Sequence, residues 1–168
     1  DSSASMKYRS KPSYHTKHDF GLIVSAALTL LLCAAGEQSA ALDEKSEFIS
    51  RPSATLEFIT KINKVGALQG FYPVRTNSFV TLMGDFWAER TELLSFLENA
   101  NLRGIRGVGV RVLDTAEITF PFAGSLRLRG LEGEDPLKIE NAGSVRTQYL
   151  EKIEQDNEIL SSLFKNAG

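Results

Sequence analysis

The chain has 168 residues and a formal net charge of −2, so it offers no large basic surface of the kind that binds nucleic acid. Its single cysteine, Cys33, excludes an intrachain disulfide. Both histidines, His15 and His18, lie near the N-terminus. The remainder therefore lacks Ser-His-Asp and Cys-His nucleophile systems and almost all zinc sites, and only carboxylates, Lys, Tyr and Arg remain for chemistry.

A basic leader, residues 1–19, precedes an apolar run at residues 20–36. The basic side chains of the leader outnumber its acidic ones, whereas the rest of the chain is net acidic. No side chain in the apolar run is charged, and such a run must leave water. The positive flank predicts that the leader stays in the stroma, matrix or cytoplasm and that residues 43–168 lie across the membrane.

Three interpretations of the apolar run compete. It is a cleavable export signal, with Ser39-Ala40-Ala41 as the small-x-small site and Leu42 as the new N-terminus. It is a retained anchor over residues 20–42, slightly short of a bilayer core of roughly 30 Å. Or it is a buried core helix, an interpretation that its length and its lack of a polar face disfavour.

The leader and the run together resemble a known class of targeting sequence. A Ser-rich segment with Lys and Arg, an apolar run and Ser39-Ala40-Ala41 resemble the second half of a bipartite leader of nuclear-encoded plastid thylakoid proteins. The resemblance covers residues 1–42 only. It implies a thylakoid location with the C-terminal domain on the lumenal side. The mitochondrial inner membrane and the bacterial envelope are the alternative locations.

A polar linker, residues 43–52, separates the run from a small domain at residues 53–168. Ser53 is the predicted N-cap of a short helix that carries Leu56, Ile59 and Val65 on one face. Gly66 is the predicted end of this helix, and residues 66–73 form a predicted loop.

The apolar periodicity at residues 78–100 predicts one core helix. Phe79, Leu82, Phe86, Leu93 and Leu97 recur at spacings of three and four residues. The stripe has a second interpretation, a surface of Phe79, Phe86 and Trp87 that faces a pigment or a lipid. Asn77 is the predicted cap, and Gly84 marks a close helix contact or a break.

The following segments predict a three-stranded antiparallel meander and a final helix. The strands are Gly104–Leu113, Glu117–Phe122 with Pro121 at an edge, and Ser125–Arg129. After an acid-rich loop, Ser144–Lys165 carries an apolar stripe typical of a helix. We therefore expect an α+β fold, with one N-terminal transmembrane helix followed by a domain with this sheet and two or three helices.

Basic side chains are the candidate docking residues. The strand arginines are expected to share one face that binds an acidic protein surface or lipid headgroups, and the leader is expected to contact neighbouring chains. The predicted set is Lys7, Arg9, Lys11, Lys17, Arg103, Arg106, Arg111, Arg127 and Arg129.

Motifs for phosphate, metal and hydrolysis are weak. Gly104–Gly109 lacks the preceding strand, the following helix and the Gly-Lys-Ser/Thr ending of a phosphate loop. The acidic residues at 132–140 lack the spacing of an EF-hand. No carboxylate pair stands out for hydrolysis. We therefore expect no catalytic residue, no metal site and no cofactor of its own, with pigments or lipids as the candidate molecules at the anchor.

These features favour a non-catalytic accessory or scaffold subunit of a multi-subunit membrane complex, with a photosystem of a plastid thylakoid as the first candidate. The second hypothesis is an exported binding or lipid-associated domain with a cleavable signal. The third is an enzyme that uses only carboxylates and Arg, which would need a deep pocket holding two close carboxylates.

Overall fold

The computed structural model describes residues 3–42, 47–62, 74–87, 90–130, 133 and 135–167. Within these residues the chain forms helices and short strands in a mixed order. The helices are α1 (Lys17–Ala34), α2 (Thr55–Ile62), α3 (Thr91–Leu102), α4 (Thr115–Thr119) and α5 (Ala142–Asn166). The strands are β1 (Phe79–Gly84), β2 (Arg106–Arg111), β3 (Leu126–Leu128) and β4 (Leu137–Ile139). A fold that mixes helices and strands is thus confirmed.

Helix α1 begins at a capping box and contains most of the apolar run. The Thr16 hydroxyl accepts a hydrogen bond from the Asp19 N–H, and the Asp19 carboxylate accepts one from the Thr16 N–H. The helix ends before Gly36, whose φ of +86° suits glycine. By length and composition alone, α1 is sufficient to cross a membrane, as predicted.

The strands β1 and β2 pair in parallel, and α3 connects them. The predicted single helix at residues 78–100 is therefore wrong. Its first part is a strand, entered through Asn77 in the left-handed region at φ 65°, and its second part is α3. The strand Gly104–Leu113 is confirmed as β2, but its partner is β1 in parallel register from Phe79 opposite Arg106 to Gly84 opposite Arg111.

The main core lies between one face of this parallel pair and the helices α3 and α5. Phe96 and Leu97 of α3 and Leu160 of α5 are buried there, and Val80 and Leu82 of β1 pack against them. Two of the β2 residues on this face, Gly107 and Gly109, are glycines. A Cβ atom at Gly109 would lie 2.4 Å from the Phe164 ring, so only glycine lets α5 approach the sheet this closely.

The predicted three-stranded meander is wrong. Residues 115–119, expected in its middle strand, form the short helix α4, which ends at Phe120 with φ 43°. Pro121 therefore lies outside any strand. The strand at residues 125–129 is confirmed as β3, but it pairs antiparallel with β4, which lies partly in the predicted acid-rich loop. The described residues thus form two two-stranded sheets.

The two remaining predicted helices are present. Helix α5 confirms the final helix, and Asn141 caps its N-terminus because the Asn141 side chain accepts from the Gly143 N–H. Helix α2 begins after a 3-10 turn, Pro52–Ala54, and packs its Phe58 against Cys33 and Ile49. The predicted continuation of this helix to Val65, its end at Gly66 and the loop at residues 66–73 lie outside the described residues.

The described part of the leader packs against its own chain. Met6 lies in a 3-10 turn and is 1% exposed. The Ser10 N–H donates to the Asp114 carboxylate at 3.0 Å, across 104 residues of sequence. Lys17, at the first position of α1, is buried. These contacts hold the described part of the leader on the domain. The expected contacts of the leader with neighbouring chains stay a prediction.

Candidate docking site

The domain covers one face of helix α1, and this face carries small and polar side chains. The covered face carries Gly21, Thr29 and Cys33, which are buried. Between them, the Ser25 hydroxyl donates to the Met83 sulfur of β1 at 3.3 Å. This face runs the whole length of the helix because its residues recur at multiples of four.

The opposite face of α1 is exposed. Leu31 is 70% exposed and Phe20 is 52% exposed, and Ile23 and Leu30 share this side. These side chains form an apolar stripe about 17 Å long at the helical rise per residue. We call Phe20, Ile23, Leu30 and Leu31 the outer stripe. A contiguous apolar surface of this kind marks a site of contact with protein or membrane.

An ion-pair cluster fixes the N-terminal end of α1 to the domain. The Lys17 ammonium lies 2.7 Å from Asp85 Oδ2 and 2.8 Å from Glu117 Oε1. Lys17 is 4% exposed and Asp85 is 1% exposed, so both charges are removed from water and depend on each other. We call Lys17, Asp85 and Glu117 the clasp.

The fold itself brings the two carboxylates of the clasp together. Asp85 follows β1 directly, and Glu117 lies in α4 shortly after β2. The two strands are parallel, so their carboxyl ends meet at one edge of the sheet, where α/β proteins commonly bind ligands. In this chain the ammonium of Lys17, the first residue of α1, occupies that edge.

Asp114 extends the contact between the leader and this edge. It is the N-cap of α4, forms a capping box with Glu117, and accepts from the Ser10 N–H. Burial alone would raise the pKa of Asp114, but hydrogen bonds from Ser10 and Ala116, with the Lys17 charge, bring that pKa below its usual value. Folding therefore favours the ionised carboxylate.

Arginine 111 joins the clasp to helix α5. Its Nε donates to the Asp85 carbonyl oxygen at 3.0 Å, and its Nη2 lies 2.7 Å from Asp156 Oδ2. Arg90, just before α3, pairs with the other oxygen of Asp156. The guanidinium also stacks on the Trp87 ring, 4.5 Å from its centroid. The clasp is thus one end of a network that reaches α3 and α5.

Two tyrosines line the clasp and stay neutral at physiological pH. Burial raises the pKa of Tyr149 to about 12, and the charge of Glu117 adds to the shift. Burial also raises the pKa of Tyr8, with contributions from Asp114 and Glu117. The Tyr8 ring lies 5.9 Å from the Lys17 ammonium. A phenolate here would add negative charge beside two carboxylates, so its formation is opposed.

The predicted docking residues separate into two groups. Lys17 and Arg111 belong to the network around the clasp. The side chains of the other group are exposed, although Arg103 also donates to the Val74 carbonyl oxygen. This exposed set is Lys7, Arg9, Lys11, Arg103, Arg106, Arg127 and Arg129.

The acidic members of the network are the residues that the sequence did not single out. Asp85, Glu117 and Asp156 lie 68, 100 and 45 residues from the bases they bind. The one sequence signal for them is Asp114-Thr115-Ala116-Glu117, the spacing of a capping box.

The described residues offer little for small-molecule chemistry. They contain no cluster of three or more His, Cys, Asp or Glu side chains arranged to hold a metal ion. A cavity of about 30 Å³ lies between the parallel pair, α3 and α5, lined mainly by apolar side chains such as Leu82 and Phe96. Small-molecule sites are clefts of roughly 300–1,000 Å³, so this cavity is far too small.

No family model, curated protein or solved structure matches the chain. The outer stripe, the clasp and the exposed cations are the features of the described residues that bear on function.

Proposed function

We propose that this chain is a non-catalytic accessory or scaffold subunit of a multi-subunit membrane complex. It docks through the outer stripe of α1, with the exposed cations of the leader and the strands as additional contacts. A photosystem of a plastid thylakoid is the first candidate, on the resemblance of residues 1–42 to a thylakoid leader. In that case the folded domain lies on the lumenal side.

The observation that carries this proposal is the outer stripe. The domain covers a face of α1 that carries small and polar residues, whereas the exposed face carries large apolar ones. A helix that serves only its own core is polar on its solvent side. The apolar residues of the outer stripe are therefore suited to a bilayer or to an apolar surface of a neighbouring subunit.

The contacts of the leader favour a retained leader over a cleaved one. Cleavage before Leu42 would remove Lys17 and leave Asp85 beside Glu117 without their cation. The Ser39-Ala40-Ala41 site is also engaged in the fold, because Ser39 forms an antiparallel bridge with Ile49 and Ala41 is buried. Cleavage of the folded chain would require this segment to detach first. The exported-domain hypothesis is therefore the weaker one.

The state of the carboxylates supports a non-catalytic role. A general acid or base must reach a substrate, whereas Asp85 is enclosed and its carboxylate is bonded to Lys17. Helix α1 closes the strand edge at which a substrate would bind. We therefore assign the clasp to holding the helix in place.

Removal of the outer stripe tests the proposal. In the Ile23→Ser/Leu31→Ser variant, both substitutions face outward, so we expect the domain to fold while the chain is lost from the membrane fraction. Leu56→Ser is the matched control, because Leu56 is exposed on α2 and lies outside the stripe. Flotation and a high-salt wash measure the bound fraction. Equal retention of both variants, or a wild-type chain that washes off, would contradict the proposal.

A further inference from the structure

The clasp and a membrane-spanning α1 are mutually exclusive. Helix α1 is 18 residues long, or about 27 Å at the helical rise, which is close to the thickness of a bilayer core. The clasp lies at its first residue, whereas the chain continues into the domain from its last residue. In a spanning helix these two ends lie on opposite sides of the bilayer. Lys17 could not then remain 2.7 Å from Asp85.

The contacts along α1 exclude a spanning helix in the same way. Ser25 bonds to Met83 of β1 near the middle of the helix, and Cys33 packs against Phe58 of α2 near its end. The covered face therefore lies on the domain over its full length. A bilayer could enclose α1 only after these contacts separate, which also exposes the clasp carboxylates to water.

We infer that the clasp is a latch that selects between two positions of α1. In the closed position, α1 lies on its own domain and Lys17 neutralises Asp85 and Glu117. In the open position, α1 spans a bilayer and the two carboxylates are solvated. Lys17 then joins Lys7, Arg9 and Lys11 on the leader side, where basic side chains meet anionic headgroups. The inference depends on the proposed function, since it describes how the docking helix is released.

The charge of the leader and the apolar length of α1 indicate which partner receives the helix in the open position. The outer stripe is flanked on its N-terminal side by the basic residues of the leader, a combination that favours an anionic bilayer surface. The apolar length of α1 matches a bilayer core. A bilayer containing anionic phospholipid is therefore the partner that this latch serves.

A reversible bridge between α1 and β1 tests the latch. Ser25→Cys and Met83→Cys, in a Cys33→Ser background, are joined by a short bismaleimide that contains a reducible disulfide. The bridged chain is reconstituted by detergent removal into vesicles containing anionic phospholipid. Mass spectrometry after protease treatment then measures the fraction of α1 that the bilayer protects from cleavage. We expect little protection when the bridge is intact, and full protection when the bridge is reduced before the chain is reconstituted.

A second variant opens the latch without altering α1. In Asp85→Asn/Glu117→Gln, the domain side of the clasp loses its charge, so we expect the ratio of protected to free α1 to rise about tenfold. The matched control is Asp135→Asn/Glu154→Gln, which removes two exposed carboxylates. We expect it to change that ratio by less than about twofold.

The outcomes separate this inference from the proposed function. Equal protection of bridged and reduced chains overturns the latch and leaves membrane docking standing. An unchanged ratio in Asp85→Asn/Glu117→Gln, with the domain folded by circular dichroism, also overturns the latch. If no form protects α1, including the reduced chain and the open variant, both the latch and docking through a spanning α1 are overturned.

Discussion

Replacement of Lys17 by methionine perturbs the clasp most directly. Methionine keeps the length of the side chain but removes the charge that Asp85 and Glu117 share. The two oxygens bonded to the ammonium at 2.7 and 2.8 Å lie at most about 5.5 Å apart. At an effective dielectric constant of about 20, the repulsion between two unpaired carboxylates at that distance is about 3 kcal/mol. Because burial of Asp85 adds a desolvation cost, we expect Lys17→Met to lower the free energy of unfolding by about 3–5 kcal/mol.

Equilibrium urea unfolding in mild detergent measures this loss. The fluorescence of the single tryptophan, Trp87, reports it, since Trp87 stacks on Arg111 beside the clasp. Adding Asp85→Asn and Glu117→Gln should return most of the stability, because no charge then remains unpaired. Lys11→Met removes an exposed leader charge and should change stability by less than about 0.5 kcal/mol. A loss below about 1 kcal/mol in Lys17→Met, the value of a solvated surface pair, would refute the buried clasp.

Three further predictions concern the surroundings of the clasp and the core. In an ultraviolet absorbance titration, Tyr149 should ionise near pH 12, whereas an ordinary tyrosine ionises near pH 10. The neutral form of Tyr149 therefore contributes folding stability that is present below about pH 10 and is lost as the pH rises through 12. The lowered pKa of Asp114 contributes folding stability that is present above about pH 4 and is lost in more acidic solution. The free energy of unfolding of Asp114→Asn should therefore depend less on pH in acid, as measured by circular dichroism. Gly109→Ala should cost about 1–3 kcal/mol in urea unfolding, since its Cβ would lie against Phe164, and Phe164→Leu should reduce that added cost in a double-mutant cycle.

The long, regular segments of this fold are readable from the sequence. Helix α1 follows from the uncharged run at residues 20–36, and α5 follows from the apolar stripe at residues 144–165. In both segments the helical signal is local, because the backbone hydrogen bonds of a helix join residues four apart and need no distant strand. The main features of these two helices could therefore be predicted.

The strand β1 shows why the secondary structure of residues 78–100 could not be predicted from local periodicity. Leu82 and Phe86 match a helical spacing, but Val80 and Leu82 also match the two-residue period of a strand. The pairing with β2 decides between these periods, and β2 lies beyond α3 in the sequence. Adjacent strands were expected to pair in chain order, whereas the intervening helix produces a parallel pair.

The short helix α4 was missed for a related reason. Ile118 and Phe120 alternate as in a strand, yet the capping box of Asp114 and Glu117 favours a helix start. The clasp could not be predicted, because its members become neighbours only after β1, β2 and α1 have assembled. The exposed basic residues were found from composition, but composition does not indicate that Lys17 and Arg111 are internal.

The most direct test of the membrane-subunit account is the intact mass of the native chain from its membrane fraction, with N-terminal peptide mapping after co-purification. The account predicts a chain that retains the leader and travels with a large membrane complex through a salt wash. A chain that begins at Leu42 and washes off with salt would contradict it and would favour a free exported domain.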